Sequence, residues 1–216
     1  AGYFTGVADF DLGPDTLELH SAYPDNSDLF ILKQDSKGEF IWARELLETG
    51  SPISEVRFGR NGRRTMAVDG EGNVYLCGSI YGTMDLAPGE EVANYTSTDT
   101  DNGYNEFVSK MNANGDFLWS RLTNVTGGNR FGYTSHVAVD TVGNVYTTGS
   151  FTGTVDFDPG ESTALHTSPS DGASFGYYLQ KLDTDGNFAW VNTSLARTVE
   201  VGMHALAVDP DGNIYT

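Results

Sequence analysis

The sequence predicts an all-β chain built from three copies of one four-stranded unit, and three observations predict it. The segment "GNVYLCGSIYGTMDLAPGEE" at 72–91 matches "GNVYTTGSFTGTVDFDPGES" at 143–162. The opening "AGYFTGVADFDLGPDT" is the same motif without its first half, which "DPDGNIYT" supplies at the other end. A second motif recurs as "ILKQDSKGEFIWAREL", "VSKMNANGDFLWSRLT" and "LQKLDTDGNFAWVNTS", and the three tryptophans, Trp42, Trp119 and Trp190, hold one position in it. Finally, 26 glycines against 7 prolines is the composition of many tight turns between short strands.

The register between copies is tight. Lys33, Lys110 and Lys181 each stand nine residues before their tryptophan, and follow the motif glycines Gly2, Gly78 and Gly149 by 31, 32 and 32 residues. The interval from tryptophan to the next Gly-Asn-[Val/Ile]-Tyr asparagine varies more, at 31, 25 and 23 residues. Aligning Ala1 with Cys77 and Thr148 divides the chain into repeats 1–76, 77–147 and 148–216.

Within the last full run of the pattern, the first strand is "SHVAVD" and the second "NVYTTGSF", joined by Asp-x-x-Gly-Asn. The third and fourth are "GYYLQKLD" and "NFAWVNTS", joined by Asp-x-x-Gly-[Glu/Asp/Asn]. All four alternate with period two and are rich in Val, Tyr, Phe and Thr, which fit a pleated, half-buried surface. Asp or Asn opening a turn with Gly three residues on suits a hairpin with a left-handed glycine. "ARELLETG" at 43–50 is at most a turn or two of helix.

Four antiparallel strands in about 70 residues describe a β-propeller blade, larger than the ~40–50 residues of a compact one. The excess lies between the second and third strands, as in 154–174, and is expected to form a further hairpin or an edge loop. A β-solenoid is the structural rival, but its coils are shorter and lack the two-hairpin layout. The runs "AVDTVGNVYTTGSFTGTVDFDPG" and "LQKLDTDGNFAW" resemble the SBBP β-propeller repeat of large bacterial exported and surface proteins, over essentially the whole chain. The resemblance implies a propeller fold and an extracellular or cell-surface setting, and it implies no activity. Three blades are too few for an ordinary ring, since four is the usual minimum. Further blades of one parent chain, or another copy, are therefore expected partners.

The balance of 30 acidic against 12 basic residues gives a formal charge of −18, which repels phosphate backbones and anionic lipid heads. Nucleic acid is a poor partner. No apolar run is long enough to cross a bilayer, so direct membrane insertion is not expected. A start at Ala1 reads as a processed or excised segment. Cys77, the one cysteine, excludes an internal disulfide and reads as a small buried strand residue.

Asp156 and Asp158 in "VDFDPGE", and Asp9 and Asp11 in "ADFDLGP", have the Asp-x-Asp-x-Gly spacing that starts a calcium loop. They are the candidate metal ligands, with calcium the one cofactor to weigh. The second copy, "MDLAPGE", keeps Asp85 but has Ala87 at the second place, which argues against a metal needed by every unit. Asp9, Asp85 and Asp156 recur in all copies, as do Lys33, Lys110 and Lys181, and the expectation is that carboxylate and lysine pair. The tryptophans read as core packing, with aromatic ligand platforms the alternative. His20, His136, His166 and His204 occupy different repeat positions, and no nucleophile elbow or phosphate loop occurs. No catalytic residue is expected.

The function expected from these residues is a non-enzymatic scaffold or binding module for a protein or glycan at the bacterial cell surface. The unequal connections 43–65, 120–135 and 191–204 would carry recognition. A propeller within a polysaccharide-active or other hydrolytic enzyme is one alternative, and a structural spacer in a giant surface protein or filament is another.

Overall fold

The computed structural model describes residues 1–23, 27–48, 55–57, 65–87, 92–97, 104–126, 131–168, 175–195 and 205–216. Among these residues there is no helix, and every strand pairing is antiparallel. In the first sheet, β1 (Gly2–Phe4) leads through a short hairpin, β2 (Val7–Asp9) and β3 (Glu18–His20), to β4 (Asp28–Gln34) and β5 (Phe40–Glu48). β1, β4 and β5 pair in that order. β6 (Glu55–Arg57) and β7 (Met66–Val68) then both pair with β8 (Val74–Tyr81). After the hairpin of β9 (Thr83–Asp85) and β10 (Asn94–Thr96), β11 (Asn105–Met111) and β12 (Phe117–Leu122) complete the second sheet.

β13 (Asn124–Thr126) is a short link to the third sheet. There β14 (Phe131–Val139), β15 (Val145–Phe151), β18 (Gly176–Leu182) and β19 (Phe188–Leu195) form a four-stranded meander, interrupted by the hairpin of β16 (Thr154–Asp156) and β17 (Leu165–Thr167). β20 (Ala207–Val208) and β21 (Ile214–Tyr215) make a separate final hairpin. The sheets form no closed ring among the described residues.

One aspartate organises each first turn. Asp69 Oδ1 accepts the main-chain N–H of Glu71 and of Asn73, both at 2.9 Å. Its Oδ2 accepts from Asn73 Nδ2 at 2.8 Å and from the Tyr75 hydroxyl at 2.9 Å. Asp140 and Asp209 repeat the arrangement with Asn144 and Tyr146, and with Asn213 and Tyr215. Burial would raise the Asp69 and Asp140 carboxyls, but these hydrogen bonds outweigh it and hold both below the usual carboxylate range.

Of the two forms expected for the excess between second and third strands, its described residues form a hairpin in each copy, and the pairing of that hairpin is a finding of the structure. β9 pairs with the end of β5 (Leu47 opposite Asp85), and β16 pairs with β13 (Asn124 opposite Asp156). The chain leaving one sheet is thus stitched to the hairpin inserted in the next. The base of each hairpin is clasped by a glycine N–H donating to a serine fifteen residues on: Gly6 to Ser21 Oγ at 2.7 Å, Gly82 to Ser97 at 2.9 Å, Gly153 to Ser168 at 2.6 Å.

The core lies between sheets. Along β8, Val74, Leu76 and Ile80 pack with Leu29, Ile31 and Leu46 of the first sheet. The alternate residues Tyr75 and Cys77 pack with Val137, Val145 and Leu182 of the third. β8 is buried on both faces, which explains why "VYLCGSIY" reads as a near-continuous apolar run. The motif glycine is steric: a Cβ on Gly149 would stand 2.7 Å from Tyr178 Cε1, and one on Gly2 would stand 2.8 Å from Phe30 Cε1.

Two expectations are corrected. Residues 43–48 of "ARELLETG" are strand, part of β5, because Leu46 is buried opposite Leu29 and the segment goes on to pair with β9. Of the connections 43–65, 120–135 and 191–204, the described residues are nearly all strand, contributing to β5, β6, β12, β13, β14 and β19. Their residues 49–54, 58–64, 127–130 and 196–204, with His204 among them, lie outside the described residues.

Candidate functional site: the junction between sheets

The recurring lysine and tryptophan meet because they are directly opposite in register, Lys33 with Trp42, Lys110 with Trp119 and Lys181 with Trp190. Two residues beyond the tryptophan, on the same strand face, stand Arg44 and Arg121. In the first junction Lys33 Nζ donates to the Ala113 carbonyl at 2.6 Å, and Trp42 Nε1 donates to the same oxygen at 3.1 Å. Arg44 donates through Nε to Gly115 O at 3.1 Å and through Nη2 to Asn114 O at 3.0 Å. The second junction has the same atoms: Lys110 Nζ and Trp119 Nε1 reach Thr184 O at 3.2 and 3.1 Å. Arg121 reaches Gly186 O at 3.1 Å and Asp185 O at 2.6 Å.

The acceptor is the turn between the third and fourth strands of the following sheet. Its carbonyls face outward because its amides point inward, to a side-chain oxygen: Asn112 Oδ1 accepts the N–H of Asn114 at 2.8 Å and of Asp116 at 3.0 Å. Asp183 does the same for Asp185 and Asn187, at 2.9 and 2.8 Å. The turn glycine has a left-handed backbone, φ +80° at Gly115 and +78° at Gly186. It also has no room for a side chain: a Cβ on Gly186 would lie 3.0 Å from Arg121 Cγ and from Trp119 Cε3.

Cation–aromatic stacking fixes the donors. The Arg44 guanidinium carbon lies 5.5 Å from the Trp42 ring centre, and that of Arg121 lies 5.4 Å from Trp119. Lys110 Nζ is 5.2 Å from the Tyr75 ring. Each such contact is worth about 0.5–2 kcal/mol depending on desolvation, and each hydrogen bond from a charged donor about 1.5–3 kcal/mol.

The expected carboxylate–lysine pairing is absent among the described residues: no ion pair joins Asp9, Asp85 or Asp156 to Lys33, Lys110 or Lys181. Lys181 instead stands 4.0 Å from Asp140 Oδ2. The aspartates close the inserted hairpins. Asp85 Oδ1 accepts from Ala87 N at 3.0 Å and Ala93 N at 2.8 Å; Asp156 Oδ1 from Asp158 N at 3.1 Å and Ala164 N at 2.7 Å; Asp9 Oδ1 from Asp11 N and Leu17 N, both at 3.0 Å. Asp11 and Asp158 take the N–H of Gly13 and Gly160, each at 2.8 Å. One oxygen of every candidate calcium ligand thus serves the main chain, and among the described residues no group of three or more His, Cys, Asp or Glu side chains converges.

Trp42 and Trp119 are buried, and each uses its indole N–H in a junction as well as packing in the core. Trp190 is half-buried and lies edge-on to Tyr146 at 6.2 Å. The arginines were not anticipated, although Trp-x-Arg in two copies, with Asn192 in the third, is a visible signal. Cys77 is buried, and burial, followed by the charge of Glu106, pushes its thiol up, away from the reactive thiolate. Glu106 also receives the Tyr178 hydroxyl across the second junction.

Compared with known proteins, the chain matches no family model and no curated protein.

Proposed function

We propose that the chain is a segment of a β-propeller of the bacterial exported kind that its repeats resemble. It acts at the cell surface as a scaffold or binding module and performs no reaction of its own. The observation that carries this reading is the employment of the recurring polar residues. The shared Asp, Lys and Trp positions close turns or build junctions, so what the copies have in common is architecture. Where they differ is in the segments linking one sheet to the next. The propeller geometry draws support from the succession of first strands: β14 lies against β7 before it and β20 after it, as blades do around an axis.

Binding to immobilised chain tests the reading, using a panel of bacterial polysaccharides and labelled extracellular proteins. A parallel variant replaces 127–130 and 196–204 by Gly-Ser of equal length. Retention by the native chain and loss by the variant is the expected result. Equal retention by both removes the linking segments from recognition, and release of sugar or peptide from the panel refutes the non-enzymatic reading. A structural spacer is the second reading, favoured by the like-on-like stacking of the sheets; it predicts no retention by either chain.

A further inference from the structure

The two interfaces inside the chain, first sheet on second and second on third, use the same repeat positions with different chemistry. In the first, Leu29 and Leu46 meet Leu76 and Phe107 within one buried cluster, which also takes in Ile80, Met84 and Leu86. By the lysine, tryptophan and motif-glycine registers, the equivalent residues of the second interface are Glu106, Thr123, Thr147 and Tyr178. All four are buried, Glu106 to 4 % exposure. Three leucines and a phenylalanine have thus given way to a carboxylate and three hydroxyls.

The polar groups bond mainly to one another. The Tyr178 hydroxyl donates to Glu106 Oε2 across the interface, and Thr123 Oγ1 accepts the Glu106 N–H at 3.2 Å. Thr147 Oγ1 donates to Gln180 Oε1 at 3.3 Å, and Gln180 Nε2 donates to Phe157 O at 2.6 Å. A cavity of about 10 Å³, the room of one water molecule, lies among Glu106, Arg121, Thr123, Thr147 and Gln180. Thr147 stands between Val145 and Phe151 along β15, and Gln180 between Leu182 and Tyr178 along β18. The polar set therefore divides what is one core in the first interface. Val145 and Leu182 pack with Cys77 and Val108 of the second sheet, while Phe151, Val155, Phe157 and Tyr178 form a separate core within the third unit.

We propose that the interface between the second and third sheets is a parting plane, at which the third unit separates while the core shared by the first and second stays closed. Polar groups bonded across an interface exchange those bonds for water when it opens, so their net hold is small. Apolar surface forfeits its whole burial energy, and the lining of a cavity has no contact to lose on its open side. Both interfaces carry the same lysine, tryptophan and arginine grips. The one with the polar filling is thus the one that opens at lower free energy. Both lie inside the chain, and their difference is independent of what precedes or follows it and of what the module binds.

β8 supplies the reporters, because adjacent residues of it face the two interfaces. Leu76 packs in the first core and Cys77 in the second, and both are fully buried. Thiol labelling of the unsubstituted protein is compared with that of a Leu76→Cys/Cys77→Ala protein under native conditions, each rate normalised to that of its unfolded chain. Cys77 is expected to label at least about tenfold faster, even though Leu76→Cys loosens the interface it reports on. Glu106→Leu with Tyr178→Phe gives the second interface the residues of the first. It is expected to slow Cys77 labelling about tenfold, since a buried polar pair exchanged for apolar residues of like volume is often neutral or stabilising. The comparison of the two thiols decides alone if that variant does not fold. Equal labelling at the two positions would mean that both thiols are reached only by unfolding of the whole chain, and would overturn the proposal. Faster labelling at position 76 would do the same, as would a folded Glu106→Leu/Tyr178→Phe protein in which Cys77 labels as fast as before.

Discussion

A single carboxylate oxygen closes each inserted hairpin, and its removal leaves two main-chain donors without their acceptor. Asp85→Ala is expected to cost about 1–3 kcal/mol in urea unfolding, while Asp85→Asn, which keeps an acceptor at Oδ1, retains most of the stability. Equal losses would show that charge rather than geometry matters. The four aspartates held low by their turns, Asp69, Asp140, Asp183 and Asp209, set the acid limit. A folded-state pKa below the ordinary 3.8 gives stability that is complete above that value and is lost as pH falls through the folded pKa. Glu45 runs the other way: burial raises its carboxyl, so ionisation costs stability that is regained on acidification. Thermal melts from pH 8 to 3 are expected to show a shallow optimum on the acid side of neutrality and a fall below about pH 4; a melting temperature still level at pH 3 would contradict this. Repetition made the Asp, Lys and Trp positions legible from sequence alone. Their partners were not, since Lys33 bonds a main-chain oxygen eighty residues away, and a carbonyl is the same in every residue type.

At the scale of elements, the turn between third and fourth strands is both a hairpin connection and a ligand for the preceding sheet. Gly38 and Gly186 separate these roles, sharing a left-handed backbone but differing in surroundings. Gly38→Ala is expected to cost about 1–2 kcal/mol, from backbone strain alone. Gly186→Ala adds the displacement of Arg121 and Trp119 from their carbonyls and should cost at least about 1.5 kcal/mol more; chemical unfolding of the two variants measures the difference, and equal costs would deny the junction its role. The hairpins were readable because period-two alternation and Asp-x-x-Gly turns are local signals. The stitching of β9 to β5 and of β16 to β13 was not, because pairing between separate repeats depends on how sheets stack. In the same way Arg, Glu and Leu in "ARELLETG" favour helix in isolation, and the burial of Leu46 beside β4 overrides that preference.

For the molecule as a whole, stacked sheets with cores between them form a one-dimensional array in which each sheet depends on its neighbours. Among the described residues the second sheet takes part in two of these cores, one on each face. In β11, Phe107 and Met111 face the first sheet while Val108 faces the third, matching the division along β8. The outer sheets each have one such shared core, and β20–β21 has only a two-residue ladder of its own. Opening should therefore proceed from the ends, with the highest free energy for the amides held in the middle. Native-state hydrogen exchange is expected to be slowest in β8 and β11, intermediate in β4 and β18, and fastest in β1 and β20–β21. Trp119→Phe, which removes the N–H bond to Thr184 O, should accelerate the third sheet more than the first. Slowest exchange in β18, or equal acceleration of both outer sheets, would mean that the junctions do not transmit stability along the array.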